Sequence, residues 1–188
     1  MNNINVILSH FIAPVEYDII KVMSIIFLIF AVLVLIFGFT AFTGAPYVPS
    51  LKSEIEKAFT RLYQLSGEDL LIDLGAGDGI VQKIASKYGA KSIGVELNPI
   101  IALIAKFRLR KNHNAKIIIK NFYQYTFPKE TTVIYVFGDS RDLNKIFQKI
   151  KQESKRLKKP LKVISYGFET KDYKLLKKQG AYFLYEVI

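Results

Sequence analysis

The chain has 188 residues, 51% of them hydrophobic, and carries 27 Lys and Arg against 16 Asp and Glu for a net charge of +11. A chain of that length buries one core of ordinary size. The absence of cysteine excludes a disulfide framework and any thiolate metal site, and His10 and His113 stand apart, so no metal is expected and any chemistry must use oxygen, nitrogen and backbone groups.

Residues 1–21 form a short apolar arm to which no role is assigned. From Val22 to Phe42 the chain carries no charge, a run long enough to cross a hydrocarbon layer of about 30 Å at about 1.5 Å per residue. It is read as one uncleaved transmembrane helix. A cleaved signal peptide is the alternative, but its apolar region is shorter and follows a basic start, whereas this start carries Glu16, Asp18 and only Lys21. A buried core helix would show a polar stripe, and this run has none. Lys52, Lys57 and Arg61 follow the span, so the positive-inside tendency places the remaining domain, residues 43–188, on the cytoplasmic side of a single-pass membrane protein.

Beyond the span, a helix is expected over Leu51 to Gln64, with Ser50 as its cap. Short apolar runs then alternate with amphipathic segments. Strands are predicted at Leu70 to Leu74, Ser92 to Val95, Lys116 to Ile119, Thr132 to Phe137 and Lys162 to Tyr166, and helices at Asp78 to Tyr88, Pro99 to Lys111 and Arg141 to Leu157. Such alternation predicts an α/β domain built on a mostly parallel sheet, with its ligand at the carboxyl edge. Ala181 to Val187 is expected to add an edge strand. The basic residues of the last helix and its exit, Lys145, Lys149, Lys151, Lys155, Arg156, Lys158 and Lys159, read as a solvated face. The excess positive charge suits an anionic leaflet, so the lipid bilayer is an expected partner. Nucleic acid is not, because no aromatic-interleaved RNA-binding signature is present.

The segment LLIDLGAGDGI, Leu70 to Ile80, is the most informative stretch. A strand ends in an acid, Asp73, and runs into Gly75, Gly77 and Gly79; the next strand ends in Glu96, placed to grip both hydroxyls of a ribose. The dinucleotide fingerprint requires G-x-G-x-x-G, but here the third glycine comes one residue early. D-L-G-x-G-x-G is instead the form found in enzymes that use S-adenosylmethionine (SAM), which gives a Rossmann-like class I SAM-dependent methyltransferase fold as the expectation.

Around this core stand Pro46-Tyr47-Val48-Pro49-Ser50 before the motif and Glu96-Leu97-Asn98-Pro99 after it. An apolar segment followed by PYVPS, DLGAGDG and ELNP resembles the small membrane-anchored class I protein-lysine N-methyltransferases, whose animal members modify the mitochondrial adenine nucleotide translocase and the c-ring protein of the ATP synthase. The resemblance runs from about Gly44 to Phe168 and is densest up to Arg108. It implies SAM as cofactor, with its methionine end at Asp73, Gly75 and Gly77, and its ribose on Glu96. Asn121 would receive the adenine amino group and Phe122 cover the ring, while Pro46, Tyr47 and Val48 would form a substrate-side lip. The implied partner is a protein with an acceptor lysine, embedded in or close to the membrane. The chain departs from the family at Asn121-Phe122-Tyr123, where Asp-Leu-Trp is usual, and at Asp139-Ser140, where a proline is usual. The family's proline-rich tail after the fifth strand is replaced by Tyr166-Gly167-Phe168-Glu169. A methyltransferase acting on a lipid or quinone headgroup, and a non-catalytic membrane-tethered SAM-binding module, are the alternatives.

Overall fold

The computed structural model describes residues 18–34, 38, 52–137, 140–167 and 169–188. The chain divides into two units, Met1–Pro46 and Tyr47–Ile188.

In the first unit, residues 18–34 form helix α1. Its large apolar side chains are exposed all round, among them Ile19, Phe27 and Val34. Among the described residues no helix is long and apolar enough to cross a membrane. The uncharged run from Val22 to Phe42 extends past α1 into residues 35–37 and 39–42, which lie outside the described residues.

In the second unit, seven strands form one sheet in the order β3-β2-β1-β4-β5-β7-β6. These are β1 (Leu70–Leu74), β2 (Lys91–Glu96), β3 (Ala115–Ile119), β4 (Val133–Phe137), β5 (Leu161–Tyr166), β6 (Lys174–Gln179) and β7 (Tyr182–Val187). Strands β1 to β5 pair in parallel and β7 and β6 close the sheet antiparallel. The central strands are short apolar runs because both faces are covered. Leu71, Val133, Tyr135, Ile164 and Leu184 face the helical segment Lys52–Leu62 and α3 (Ile80–Ala85), which contribute Ile55, Phe59, Leu62, Val81 and Ile84. Ile72, Ile134, Val136, Val163 and Phe183 face the other way, onto Leu143, Ile146, Phe147 and Ile150 of α5 (Ser140–Leu157).

Three sequence expectations change. The lead helix is α-helical only over Lys52–Lys57 (α2) and widens into a π-helical turn, Ala58–Leu62, closed by Tyr63 N donating to Ala58 O at 2.9 Å; Ser50 and Leu51 lie outside the described residues. The last strand is not the edge of the sheet: β7 lies between β5 and β6. Strand β6, KLLKKQ, has no buried face, so it shows none of the alternation that marks a half-buried strand, and its lysines suit an edge that must resist pairing. On α5 the basic face is also incomplete, because Lys149 is nearly buried and donates to Glu153 Oε1 at 2.7 Å.

Candidate active site

Parallel pairing brings the carboxyl ends of β1, β2, β4 and β5 to one edge, since Leu74 is level with Val95 and Val136, and Phe137 with Tyr166. The turn after β1 crosses this edge. Gly75 and Ala76 both donate to Val95 O, at 2.9 and 3.1 Å, which ties the turn to the end of β2. Gly75 takes φ of 90°, a conformation that L side chains avoid, and a Cβ added there would meet nothing within 4 Å. The space above it is therefore open. The third glycine serves packing instead: a Cβ on Gly79 would come within 2.9 Å of Leu109 Cδ1 and 3.2 Å of Ala105 Cβ, so it lets α3 start against α4 (Pro99–Arg108).

Asp73 is 2% exposed. It accepts one hydrogen bond, from Gln82 Nε2 of α3 at 2.7 Å. Burial pushes its carboxyl up to about 7, against the lowering effect of the Gln82 bond and with Glu96 and Asp78 adding repulsion. The other amide atom of Gln82, Oε1, is buried without a hydrogen-bond partner. Such a buried polar atom is uncommon in a folded protein and marks a place where a donor is wanted.

Glu96 is fixed from two sides. Gly77 N donates to its Oε2 at 2.9 Å and Asn98 N to its Oε1 at 2.8 Å. A carboxylate has about four lone-pair sites, so each oxygen keeps capacity for a further donor. The Gly77 amide is thereby turned inward; at this position the motif offers room and an oriented acid rather than an exposed donor. Asn98 caps α4, its side chain accepting from Ile100 N at 2.9 Å and Ile101 N at 3.3 Å, with Pro99 in the first turn. Asp78 is occupied by Arg108 and by Ile80 N.

After β3, Asn121 caps a single 3-10 turn, Phe122–Gln124, by accepting from Tyr123 N at 3.0 Å. One lone pair of its amide oxygen is engaged locally and one is left. Phe122 packs its ring 4.3 Å from that of Tyr123. Pro46, Tyr47 and Val48, and also Gly138 and Asp139, lie outside the described residues.

Two groups at this edge escape a reading of the sequence. Gln82 sits in IVQKIA, where a polar residue reads as solvent-facing, yet it is fully buried; the one available signal was that a buried strand acid needs a donor. The other is an aromatic wall. Phe137 stacks on Tyr166 with ring centroids 5.3 Å apart and planes at 22°, and Tyr166 in turn lies 4.7 Å from Tyr182. Phe137 is 38% exposed, so an aromatic face stands open beside the glycine turn. Cross-strand register brings these rings together, and no spacing in the sequence reports it.

No family model matches the chain. It is similar to the human lysine N-methyltransferase that is named for the c-type subunit of ATP synthase, at 29% identity over 111 residues covering 57% of this chain and 46% of that protein. It is also similar to a "Protein-lysine N-methyltransferase" of Saccharolobus islandicus, at 29% identity over 134 residues covering 68% of this chain and 80% of that protein. The chain spans about half the length of the vertebrate relatives it matches. Among solved structures it resembles an RNA methyltransferase from Salinibacter ruber in complex with S-adenosyl-L-homocysteine, with a TM-score of 0.60, 21% identity, and coverage of 74% of this chain and 92% of that one. With the observed strand order, this likeness establishes a Rossmann-like methyltransferase fold on a mostly parallel seven-stranded sheet.

Proposed function

We propose that this protein is a SAM-dependent methyltransferase that modifies a lysine side chain of a protein, and that it works tethered to a membrane with its catalytic domain in the cytoplasm. The carrying observation is the pairing of open space over Gly75 with the oriented Glu96 carboxylate at one edge of the sheet. The similarity to two proteins named as lysine methyltransferases supports the substrate class.

The residues present fit SAM. Glu96 has acceptor capacity for two ribose hydroxyls, one on each oxygen. Asp73 holds the amino group of the methionine end, and Gly75 admits the backbone of that end without a Cβ in the way. Gln82, with one amide atom on Asp73 and the other unpaired, positions that acid. The free lone pair of Asn121 receives the adenine amino group, with Phe122 beside the ring. The acceptor-side lip is assigned to Pro46, Tyr47 and Val48 on the sequence resemblance alone, since they lie outside the described residues.

Bound SAM supplies an electrophilic methyl group on a sulfonium. The acceptor lysine must first lose a proton, because an ammonium with a pKa of about 10.4 has no lone pair. Desolvation at the site favours the neutral amine. With SAM bound, the neutral amine held in line would form the new N–C bond while the C–S bond pair went to sulfur, and the methylammonium would shed its extra proton to solvent. No strong base is required; holding the two reactants in line supplies much of the acceleration. Phe137 and Tyr166 offer the aromatic face that a cationic acceptor or methylated product favours.

Membrane tethering rests on the uncharged run Val22 to Phe42, of which residues 22–34 are helical in α1. Incubating native membranes with the full chain and tritiated SAM, then hydrolysing the protein in acid, tests the proposal. Label in methylated lysine is the expected result. Label confined to the lipid extract moves the acceptor to a headgroup, and absence of transfer together with absence of SAM binding removes the methyltransferase reading.

A further inference from the structure

Helix α4 is apolar on two sides. Ala102 and Ala105 are buried, and pack with Ala76, Leu109 and Ile117 against the sheet. Ile100, Leu103, Ile104 and Phe107, spaced i, i+3, i+4 and i+7, form a second stripe that is 41, 59, 51 and 68% exposed. A helix that covers a sheet needs one apolar face; a second one, open to water, calls for an occupant.

Exposed charge along this segment is of one sign, and the acid that meets α4, Asp78, is already paired with Arg108. Between Glu96 and Glu130 the chain has no acidic residue, while Lys106, Arg110, Lys111, Lys116 and Lys120 are all exposed. The Arg110 guanidinium lies 4.1 Å from the centroid of the Phe107 ring and donates to Phe107 O at 3.0 Å, which holds cation and ring side by side at the surface. Large apolar residues on a helix with flanking cations are the composition of a helix lying in a membrane interface.

We propose that α4 lies in the headgroup boundary of an anionic bilayer, with Leu103, Ile104 and Phe107 below the phosphates and Lys106, Arg110 and Lys111 among them. Charge selects this occupant over a second copy of the chain. A two-fold interface sets the same patch against itself, and neither α4 nor β3 carries an acid to pair with the facing cations. Lipid also suits the rest of the chain, since α1 exposes large apolar residues all round. Glu96 lies just before α4, so this contact holds the carboxyl edge of the sheet close to the bilayer surface. The inference does not rest on methyl transfer.

The chain has no cysteine, so single-cysteine reporters are unambiguous. The full chain carrying a spin label at Leu103→Cys, at Ile104→Cys as a second reporter, or at Gln148→Cys on α5 as control, is mixed with vesicles of phosphatidylcholine alone or with added phosphatidylglycerol. All three positions are exposed, and unchanged circular dichroism melts confirm that each variant folds. In anionic vesicles the labels at 103 and 104 are expected to become more accessible to oxygen than to a water-soluble nickel chelate, while the label at 148 stays open to the chelate; the effect fades in neutral vesicles and in high salt. Chelate access at 103 and 104 equal to that at 148 overturns the proposal. So does dipolar broadening between labels that grows with protein-to-lipid ratio, which assigns the stripe to a second copy.

Discussion

Two aspartates at the opposite ends of one strand show how differently this sheet treats a buried acid. Asp69, just before β1, accepts from Tyr63 OH at 2.7 Å, Ser66 N at 2.9 Å, Ser66 Oγ at 3.2 Å and Thr132 Oγ1 at 2.8 Å. Its lone pairs are filled by the protein, and the network fastens the entry of β1 to the loop before β4. Asp73, at the carboxyl end, has one donor, Gln82, and its carboxyl is pushed up to about 7 by burial. Full satisfaction belongs to a structural acid; a buried acid with unfilled capacity beside an open turn belongs to a binding site.

The sharpest way to break this contrast is to remove each acid and measure both ligand binding and stability. Glu96→Ala or Asp73→Ala is expected to weaken SAM binding by more than about 100-fold, or about 3 kcal/mol, because each removes hydrogen bonds to a charged group. Calorimetry on the full chain in detergent checks this, and affinities within threefold of wild type would mean the pocket lies elsewhere. Asp69→Ala should leave SAM affinity nearly intact but cost about 3 kcal/mol of stability, since it strands buried donors; urea unfolding with an unchanged slope reads it.

Gly94 of β2 is level with Asp73 in the sheet. A Cβ there would lie 2.5 Å from Ala76 Cβ, 2.6 Å from Gln82 Nε2 and 2.7 Å from Ile117 Cδ1. Gly94→Ala should therefore destabilise by about 1–3 kcal/mol through overpacking, and because it displaces Gln82 it should lower SAM affinity as well. A variant that loses stability with no change in affinity would separate Gln82 from the site.

The pH response of Asp73 is smaller at any one step. Its folded carboxyl sits near 7 against an ordinary value of 3.8, so between those values the folded state binds more protons than the unfolded one. Stability of the ligand-free protein then falls as pH rises from about 4 to about 7, with a slope of at most about 1.4 kcal/mol per pH unit from this group. Asp73→Asn should flatten that slope. In wild type the ammonium end of SAM favours the ionised carboxylate, so binding should tighten from pH 6 to 8 and release a proton on the acid side, visible as buffer-dependent heats. Asn121→Ala should be the mildest change, about 1 kcal/mol or less from one lost cap bond, with a modest rise in the SAM dissociation constant.

The legible parts of the sequence are those governed by neighbours along the chain. Leu70–Leu74 reads as a strand at its observed bounds because both faces are covered and the run is apolar but for Asp73. Asn98 and Pro99 announce the start of α4 by their own backbone preferences. Strand β6 is illegible for the converse reason: with every residue but the last exposed, KLLKKQ carries no periodicity, and it is a strand because β7 offers an unpaired edge.

By itself, then, the sequence determined the strand, glycine turn and acid that build the carboxyl edge, because positive φ at glycine, a cap at Asn98 and apolar runs are local matters of sterics and hydrogen bonding. Only the tertiary structure decided what Asp73 touches, which rings stack at the end of β4 and β5 and which face of α4 is left open. Gln82 reaches Asp73 because α3 crosses that face of the sheet, Phe137 meets Tyr166 because β4 and β5 pair in one register, and the stripe from Ile100 to Phe107 is exposed because Ala102 and Ala105 already cover the sheet. Each depends on how helices and strands pack against one another, and only the closing of the sheet chooses among the many arrangements that the same residues could make.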